Sequence, residues 1–218
     1  ERLLGAVVGG HGDDNGLIIP PSVAPYQVIL MPIAAHADEG VLPAVNALAE
    51  DLTSAGLRVK VDDRDVRPGV KHYDWEIKGA PIRLELGPRD LSKGKCVISL
   101  RTGGKEEAPL DGIASTVSDA LNSLADELRA RANATLAGRV RPLPPIKSME
   151  GNFELTEELE DGVVYELAFD GSDSDAEVLE KLTGLTLLGD CDGSFDEPRP
   201  CAITGKSTQR RQYIARMY

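Results

Sequence analysis

Residues 27–33 read Gln-Val-Ile-Leu-Met-Pro-Ile, a segment of strand length that is apolar from Val28 on, and residues 38–55 then carry Val41, Val45, Leu48 and Leu52 at helical spacing. This switch from a short apolar run to a one-faced period of 3.6 is the most restrictive pattern in the chain. It repeats downstream. Residues 57–61 alternate as a strand, 70–78 form a short polar helix, and 81–86 and 95–101 are further strands. From Thr116 to Ala132, Val117, Ala120, Leu121, Leu124 and Leu128 fall on one helical face. Asp38 is placed to cap the first helix and Gly56 to end it. Strand–helix–strand–helix–strand–strand–helix predicts an α/β fold with a mixed sheet and flanking helices.

On either side the pattern changes. Residues 3–9, LLGAVVG, have the form of a buried strand, His11–Gly16 is a polar turn, Leu17–Pro21 is a short extended exit, and 22–26 is a linker. The Pro-rich stretch from Arg139 to Pro145 marks a boundary. Beyond it the sequence predicts a helix at 153–160, a strand at 163–169, a helix at 175–183 and a last strand near 210–217. The expected division is 1–26, 27–138 and a small α+β domain at 139–218.

Charge narrows the classes of partner. The net charge of −12 argues against nucleic acid, but its distribution reverses that argument. Residues 150–198 hold 16 acids and one base, Lys181, whereas residues 58–105 hold 12 bases and seven acids. Phosphate contacts follow local potential, so a basic face inside an acidic chain suits RNA. Three cysteines, Cys96, Cys191 and Cys201, make no disulfide framework and fit a reducing, cytoplasmic setting. No apolar run approaches about 18 residues, so no membrane partner is expected.

The locally basic stretch is also the chemically richest. It runs DDRDVRPGVKHYDWE from Asp62 and continues IKGAPIRLELGPRD to Asp90. Cations hold phosphates, carboxylates accept from base amino groups, and the Tyr and Trp offer stacking faces. The plainer alternative is a solvated face with ordinary ion pairs, and for Trp75 simple core packing.

These blocks, with RTGGKE after them, resemble the anticodon-binding module of the prolyl-tRNA synthetase family in order and spacing. The resemblance extends outward. Arg2-Leu3-Leu4-Gly5-Ala6 and the His11-Gly12-Asp13-Asp14 turn resemble the end of a class II catalytic domain. The C-terminal region resembles the extension of the archaeal and eukaryotic type, down to the closing Ala215-Arg216-Met217-Tyr218. The resemblance implies Arg2 at an ATP site, where a flat guanidinium faces adenine or phosphate. It implies His11, Gly12 and Asp13 beside an amino-acid pocket, and Arg64, Lys71, Trp75, Glu76, Lys78, Glu85 and Arg89 at the anticodon. The proline anticodon ends in two guanines, and Glu76 or Glu85 with Arg64 suits their edges. For the full enzyme it implies a homodimer using ATP and Mg2+ on tRNA(Pro), with no DNA partner. The chain alone would then be an inactive segment, with residues 1–20 short of sheet partners and either disordered or associating through the 3–9 run. The family's extension often holds zinc through four cysteines. Here Thr204 stands at the second position of Cys201-Ala202-Ile203-Thr204-Gly205, and the upstream pair is replaced within Gly171–Asp175, so zinc is expected to be absent.

Other chemistries fit less well. Gly103-Gly104-Lys105 lacks the spacing and the following Ser or Thr of a P-loop and reads as a hairpin turn. His11 with Asp13 and Asp14 lacks a three-dimensional metal-ligand set. His36 and His72 sit in unrelated loops, with no nucleophile arrangement. A flavodoxin-like binder would need a phosphate-cradling loop after the first strand, and Met31–Ala35 has no glycine there. A non-catalytic RNA-binding or regulatory protein on the same module is the remaining alternative.

Overall fold

The computed structural model describes residues 2–149, 152–191 and 193–217. The chain divides into two compact units, Glu1–Ala132 and Asn133–Tyr218. The first contains α1 (Arg2–His11), β1 (Val28–Pro32), α2 (Val41–Ser54), β2 (Val59–Val61), α3 (Pro68–Ile77), β3 (Ile82–Leu86), α4 (Pro88–Ser92), β4 (Lys95–Leu100), β5 (Lys105–Pro109) and most of α5 (Ile113–Arg139). Its five strands form one mixed sheet in the order β2-β1-β3-β4-β5. β1 runs parallel to β2 and β3, and β3, β4 and β5 are antiparallel neighbours.

The period of two in β1 divides the unit into layers. Val28 and Leu30 join Val41, Val45, Leu48 and Leu52 of α2 and Ile113, Val117 and Leu121 of α5 in the main core. Ile29 and Met31 point the other way, into a smaller cluster with Ala80 and Trp75 of the α3 region. Register then assigns the rest of that second face. Ile29 lies beside Arg83 and Met31 beside Glu85. Arg83 pairs with Ser99, and Ser99 with Lys105. The face shared with α3 is therefore apolar under the helix and charged toward β5.

Several elements differ from the sequence reading. Residues 3–9 are helical and no residue of α1 is buried. With no strand beside it, this run satisfies its amides only within itself, and Leu3, Leu4, Val7 and Val8 line one side of a cleft of about 350 Å³. The following segment is neither free nor extended into solvent. Leu17 N–H donates to Ile77 O at 3.0 Å, Ile19 N–H to Gly79 O at 3.2 Å, and Ile18 is buried against Leu124 and Leu128. α2 starts at Val41 rather than Asp38, whose carboxylate accepts from Gly40 N–H at 2.8 Å just outside the helix. α5 starts earlier than Thr116, at buried Ile113 in phase with Val117 and Leu121, and runs on past Leu128 through a polar end that carries no periodic signal.

The second unit contains β6 (Val140–Pro142), β7 (Ile146–Met149), β8 (Asn152–Leu155), β9 (Val164–Ala168), α6 (Asp173–Thr183), β10 (Thr186–Asp190), β11 (Arg199–Pro200), β12 (Ser207–Thr208) and β13 (Arg211–Ala215). Its main sheet has the order β10-β13-β9-β6. Tyr165, Leu167, Phe169, Leu179, Leu185, Cys201 and Ile214 form its core. The helix expected at 153–160 is instead the second strand of the β7–β8 hairpin, followed by an irregular acidic segment. Phe153 and Leu155 alternate with exposed Asn152 and Glu154, a strand period that the glutamates downstream obscured. α6 is held at its start by Ser172, whose hydroxyl accepts from Asp175 N–H while Asp175 Oδ2 accepts from Ser172 N–H.

Candidate nucleic-acid interface

α3 is secured to the sheet through the loop before it. Pro68 sits in its first turn, where a missing N–H costs nothing. Asp62, at the end of β2, has a buried carboxylate that accepts from Arg64 Nε at 2.8 Å, Arg64 Nη2 at 2.8 Å and Trp75 Nε1 at 2.7 Å. Hydrogen bonds from Arg64, then from Trp75, outweigh the cost of burial and hold the Asp62 carboxyl down at about 2. The remaining guanidinium nitrogen, Arg64 Nη1, donates to Asp74 Oδ2 at 2.8 Å. Lys71 is buried, with Nζ donating to Asp62 O at 2.9 Å. Arg64 and Lys71 thus hold the loop to the helix. Trp75 is packed as well as bonded: Tyr26 meets it edge-on with centroids 6.3 Å apart, and Lys78 Nζ lies 4.8 Å from its ring centroid.

The charged side of this face gathers residues from α3, β3 and β5. Glu85 is nearly buried and accepts from Lys105 Nζ at 3.1 and 3.3 Å. His72 lies on α3, not in a loop, and its Nε2 stands 3.2 Å from Glu85 Oε1 without hydrogen-bond geometry. Burial depresses the His72 pKa; Glu85 opposes this, while Arg83 and Lys105 add to it. Arg83 Nη1 donates to His72 O at a long 3.4 Å, and its Nε is buried with no partner among the described residues. That nitrogen is enclosed by the protein, and leaving it unpaired is costly. Arg83 and Lys105 escaped the sequence reading, although strand alternation from Glu85 would have placed Arg83 on its face. Arg89 is exposed on α4, Glu76 is half-buried on the last turn of α3, and Lys78 is exposed just after it.

The residues matched to a catalytic site lie elsewhere in the first unit. Arg2 opens α1 and is exposed; His11 ends the same helix, and Gly12 follows it. Asp13 pairs with Arg101, its two oxygens accepting from Nη1 at 2.9 Å and Nη2 at 2.5 Å. The hydrogen bonds to Arg101 hold the Asp13 carboxyl at about 2.

The second unit holds the Cys201 turn that stands where the resemblance places a metal pair. Among the described residues no three His, Cys, Asp or Glu side chains converge on a metal position. Cys201 is buried, and its sulfur accepts from Asp170 N–H at 3.5 Å. Burial pushes this thiol up, but amide and hydroxyl donors from Asp170, Thr204 and Ile203 outweigh it and hold the pKa below its ordinary value. A hydroxyl at Thr204 beside one thiol is a hydrogen-bonded turn, not half of a tetrahedral thiolate site.

A mixed sheet with one helix-bearing charged face and basic residues at its rim has the features that a nucleic-acid-binding module uses. Residues 27–131 match the family described as an anticodon binding domain. The whole chain aligns at 36% identity with the proline–tRNA ligase of Methanococcoides burtonii, covering 45% of that protein. A proline–tRNA ligase of Methanocorpusculum labreanum is 38% identical over 94% of the chain, which covers 43% of the relative. Among solved structures, the Giardia lamblia prolyl-tRNA synthetase in complex with prolyl-adenylate superposes with a TM-score of 0.82. It is 26% identical, and the match covers 100% of this chain and 48% of that one. The chain belongs to the proline–tRNA ligase family and spans about half the length of the curated relatives it matches over its full extent.

Proposed function

We propose that this chain is the anticodon-holding part of a proline–tRNA ligase, which joins proline to tRNA(Pro) at the expense of ATP. The observation that carries the reading is the patch of Arg83, Glu85, Lys105 and His72 beside α3, where exposed Lys105 is directed by nearly buried Glu85. Guanine presents O6 and N7 as acceptors and N1–H and N2–H as donors. Arg83 and Lys105 are the donors suited to the first pair, and Glu76 is the carboxylate suited to the second. Lys78 and Arg89, both exposed, are the cations for phosphate. Glu85 neutralises Lys105 and fixes its direction. Arg64, Lys71 and Trp75 act one step back, by holding α3 in place.

In this reading the enzyme is a cytoplasmic homodimer that takes tRNA and not DNA. ATP and Mg2+ are handled chiefly by the other half of the protein, with Arg2 and the His11–Asp13 turn as this chain's contribution. Among the described residues no helix is long and apolar enough to cross a membrane. The second unit is read as a zinc-free version of the family's C-terminal extension.

The test is Arg83→Ala and Lys105→Ala in the full-length enzyme. Each removes a charge-assisted contact worth about 1.5–3 kcal/mol, or about ten- to a hundred-fold in tRNA affinity. Proline-dependent ATP–pyrophosphate exchange should stay near the parent value. Equal losses in exchange and aminoacylation would remove the anticodon role. RNA binding with no exchange in the intact parent protein would instead favour a non-catalytic RNA-binding protein.

A further inference from the structure

Arg101, immediately after β4, has a buried charged head, its side chain being 1% accessible. Its guanidinium ties three segments together. Nε donates to Leu17 O at 2.8 Å and to Glu76 O at 3.0 Å, while the two terminal nitrogens form the fork on Asp13. Its own amide donates to Pro81 O at 3.0 Å. Glu76 O lies in the last turn of α3 and also accepts from Gly79 N–H at 3.0 Å. Arg101 therefore joins the last turn of α3 to the end of β4.

The same turn is closed from the other side. A Cβ on Gly16 would lie 2.6 Å from Ile77 Cα, and one on Gly79 would lie 2.6 Å from Leu17 O. Backbone meets backbone there, and the two hydrogen bonds from Leu17 and Ile19 complete the seam. A guanidinium this buried needs a counter-charge, because its desolvation is otherwise uncompensated. Asp13 is that counter-charge, delivered by a turn 88 residues away in sequence.

We propose that Arg101, held by Asp13, is a positioning residue for RNA recognition. It fixes the last turn of α3, and with it Glu76 and Lys78, relative to Arg83 and Lys105 on the sheet. The 13–16 turn is thereby part of the RNA-binding unit, and a shift of that turn reaches the anticodon face through Arg101 and the Leu17–Ile77 seam. This rests on the anticodon reading above, and the experiment separates the two.

The 218-residue chain is titrated, by fluorescence anisotropy, against a labelled anticodon stem–loop of tRNA(Pro) and against the same loop with its two guanines replaced by adenines. Asp13→Asn and Arg101→Lys should each weaken cognate binding about ten-fold and leave binding to the substituted loop unchanged, so that discrimination is lost. The double variant should be no worse than either single one, since both break one link. Emission from Trp75, the only tryptophan, should shift in both variants as α3 loosens. Arg83→Ala is the control for the underlying reading. If it retains discrimination, the anticodon reading fails. If it loses discrimination while Asp13→Asn and Arg101→Lys keep it, the reading stands and the role of Arg101 is overturned. A parallel fall in affinity for both loops would mean general loss of fold and would also overturn it; urea midpoints of the two variants identify that case.

Discussion

The indole Nε1–H of Trp75 donates to Asp62 Oδ2 at 2.7 Å, and the same carboxylate receives Nε and Nη2 of Arg64. One buried acid thus organises the arginine and the aromatic ring that a sequence reading assigns to RNA. Arg64 directs Nε and Nη2 to Asp62 and Nη1 to Asp74, which fixes its head beside α3. The helix that carries Glu76 and His72 is placed by this cluster.

Asp62→Ala should therefore cost stability out of proportion to the atoms removed. It leaves Trp75 Nε1 and two guanidinium nitrogens without their acceptor in a part-buried setting. The expected loss is about 2–4 kcal/mol. Urea denaturation followed by Trp75 emission measures it; a loss below about 1 kcal/mol would mean that water replaces the carboxylate at little cost.

Arg64→Ala and Arg89→Ala should separate support from contact. Arg64→Ala should lower stability by about 1–2 kcal/mol and weaken RNA binding only as α3 loosens. Arg89 is exposed, so its loss should leave the denaturation midpoint within about 0.5 kcal/mol of the parent and reduce tRNA affinity directly. The salt dependence decides: Arg89→Ala should lower the slope of log affinity against log salt by about one, and Arg64→Ala should not.

Acid should act in two windows. Asp13 and Asp62 ionise near 2 in the folded chain against 3.8 for the ordinary group, so the unfolded chain takes up the extra protons between those values. Their stabilisation is complete above about pH 4 and is lost as pH falls toward 2. For buried Asp62 the shift is worth about 2 kcal/mol, and for the more exposed Asp13 less. His72 works at higher pH. Its folded pKa lies below 6.5, so the unfolded chain protonates first, and stability falls as pH drops below that value. Stability measured from pH 7 to pH 5 should lose part of its slope in His72→Gln; an unchanged slope would place the titration elsewhere.

Much of the first unit was legible because its signals are local. Val41, Val45, Leu48 and Leu52 are all buried where their spacing put them, and Gly56 follows α2 with φ at 87°. The α1 run was misread because apolar residues of strand length carry no period that separates strand from helix, and only a neighbouring strand would decide. The proposed recognition patch was half legible. Composition marks residues 62–90, but whether a cation faces RNA or its own backbone depends on partners far along the chain. Lys71 is satisfied by the Asp62 carbonyl, and Arg101 by Asp13. Nothing local distinguishes those two from Arg83 and Lys105.

The second unit should hold its shape without zinc. Its Cys201 turn is closed by donors to sulfur from Asp170 and Thr204, by Cys201 N–H to Lys206 O at 2.8 Å and by Gly205 N–H to Cys201 O at 3.0 Å. The loop across from it is closed by the reciprocal Ser172–Asp175 cap. Hydrogen bonds close both the Cys201 turn and the Ser172–Asp175 turn, so a chelator is expected to leave both in place. Elemental analysis of tag-free protein should find well under one zinc per chain, and a chelator should not move the thermal midpoint. Thr204→Val, which removes a donor to the buried sulfur, should lower stability by about 1 kcal/mol. One equivalent of zinc that disappears in Cys201→Ser, with a chelator-sensitive midpoint, would show that the unit assembles a metal site after all.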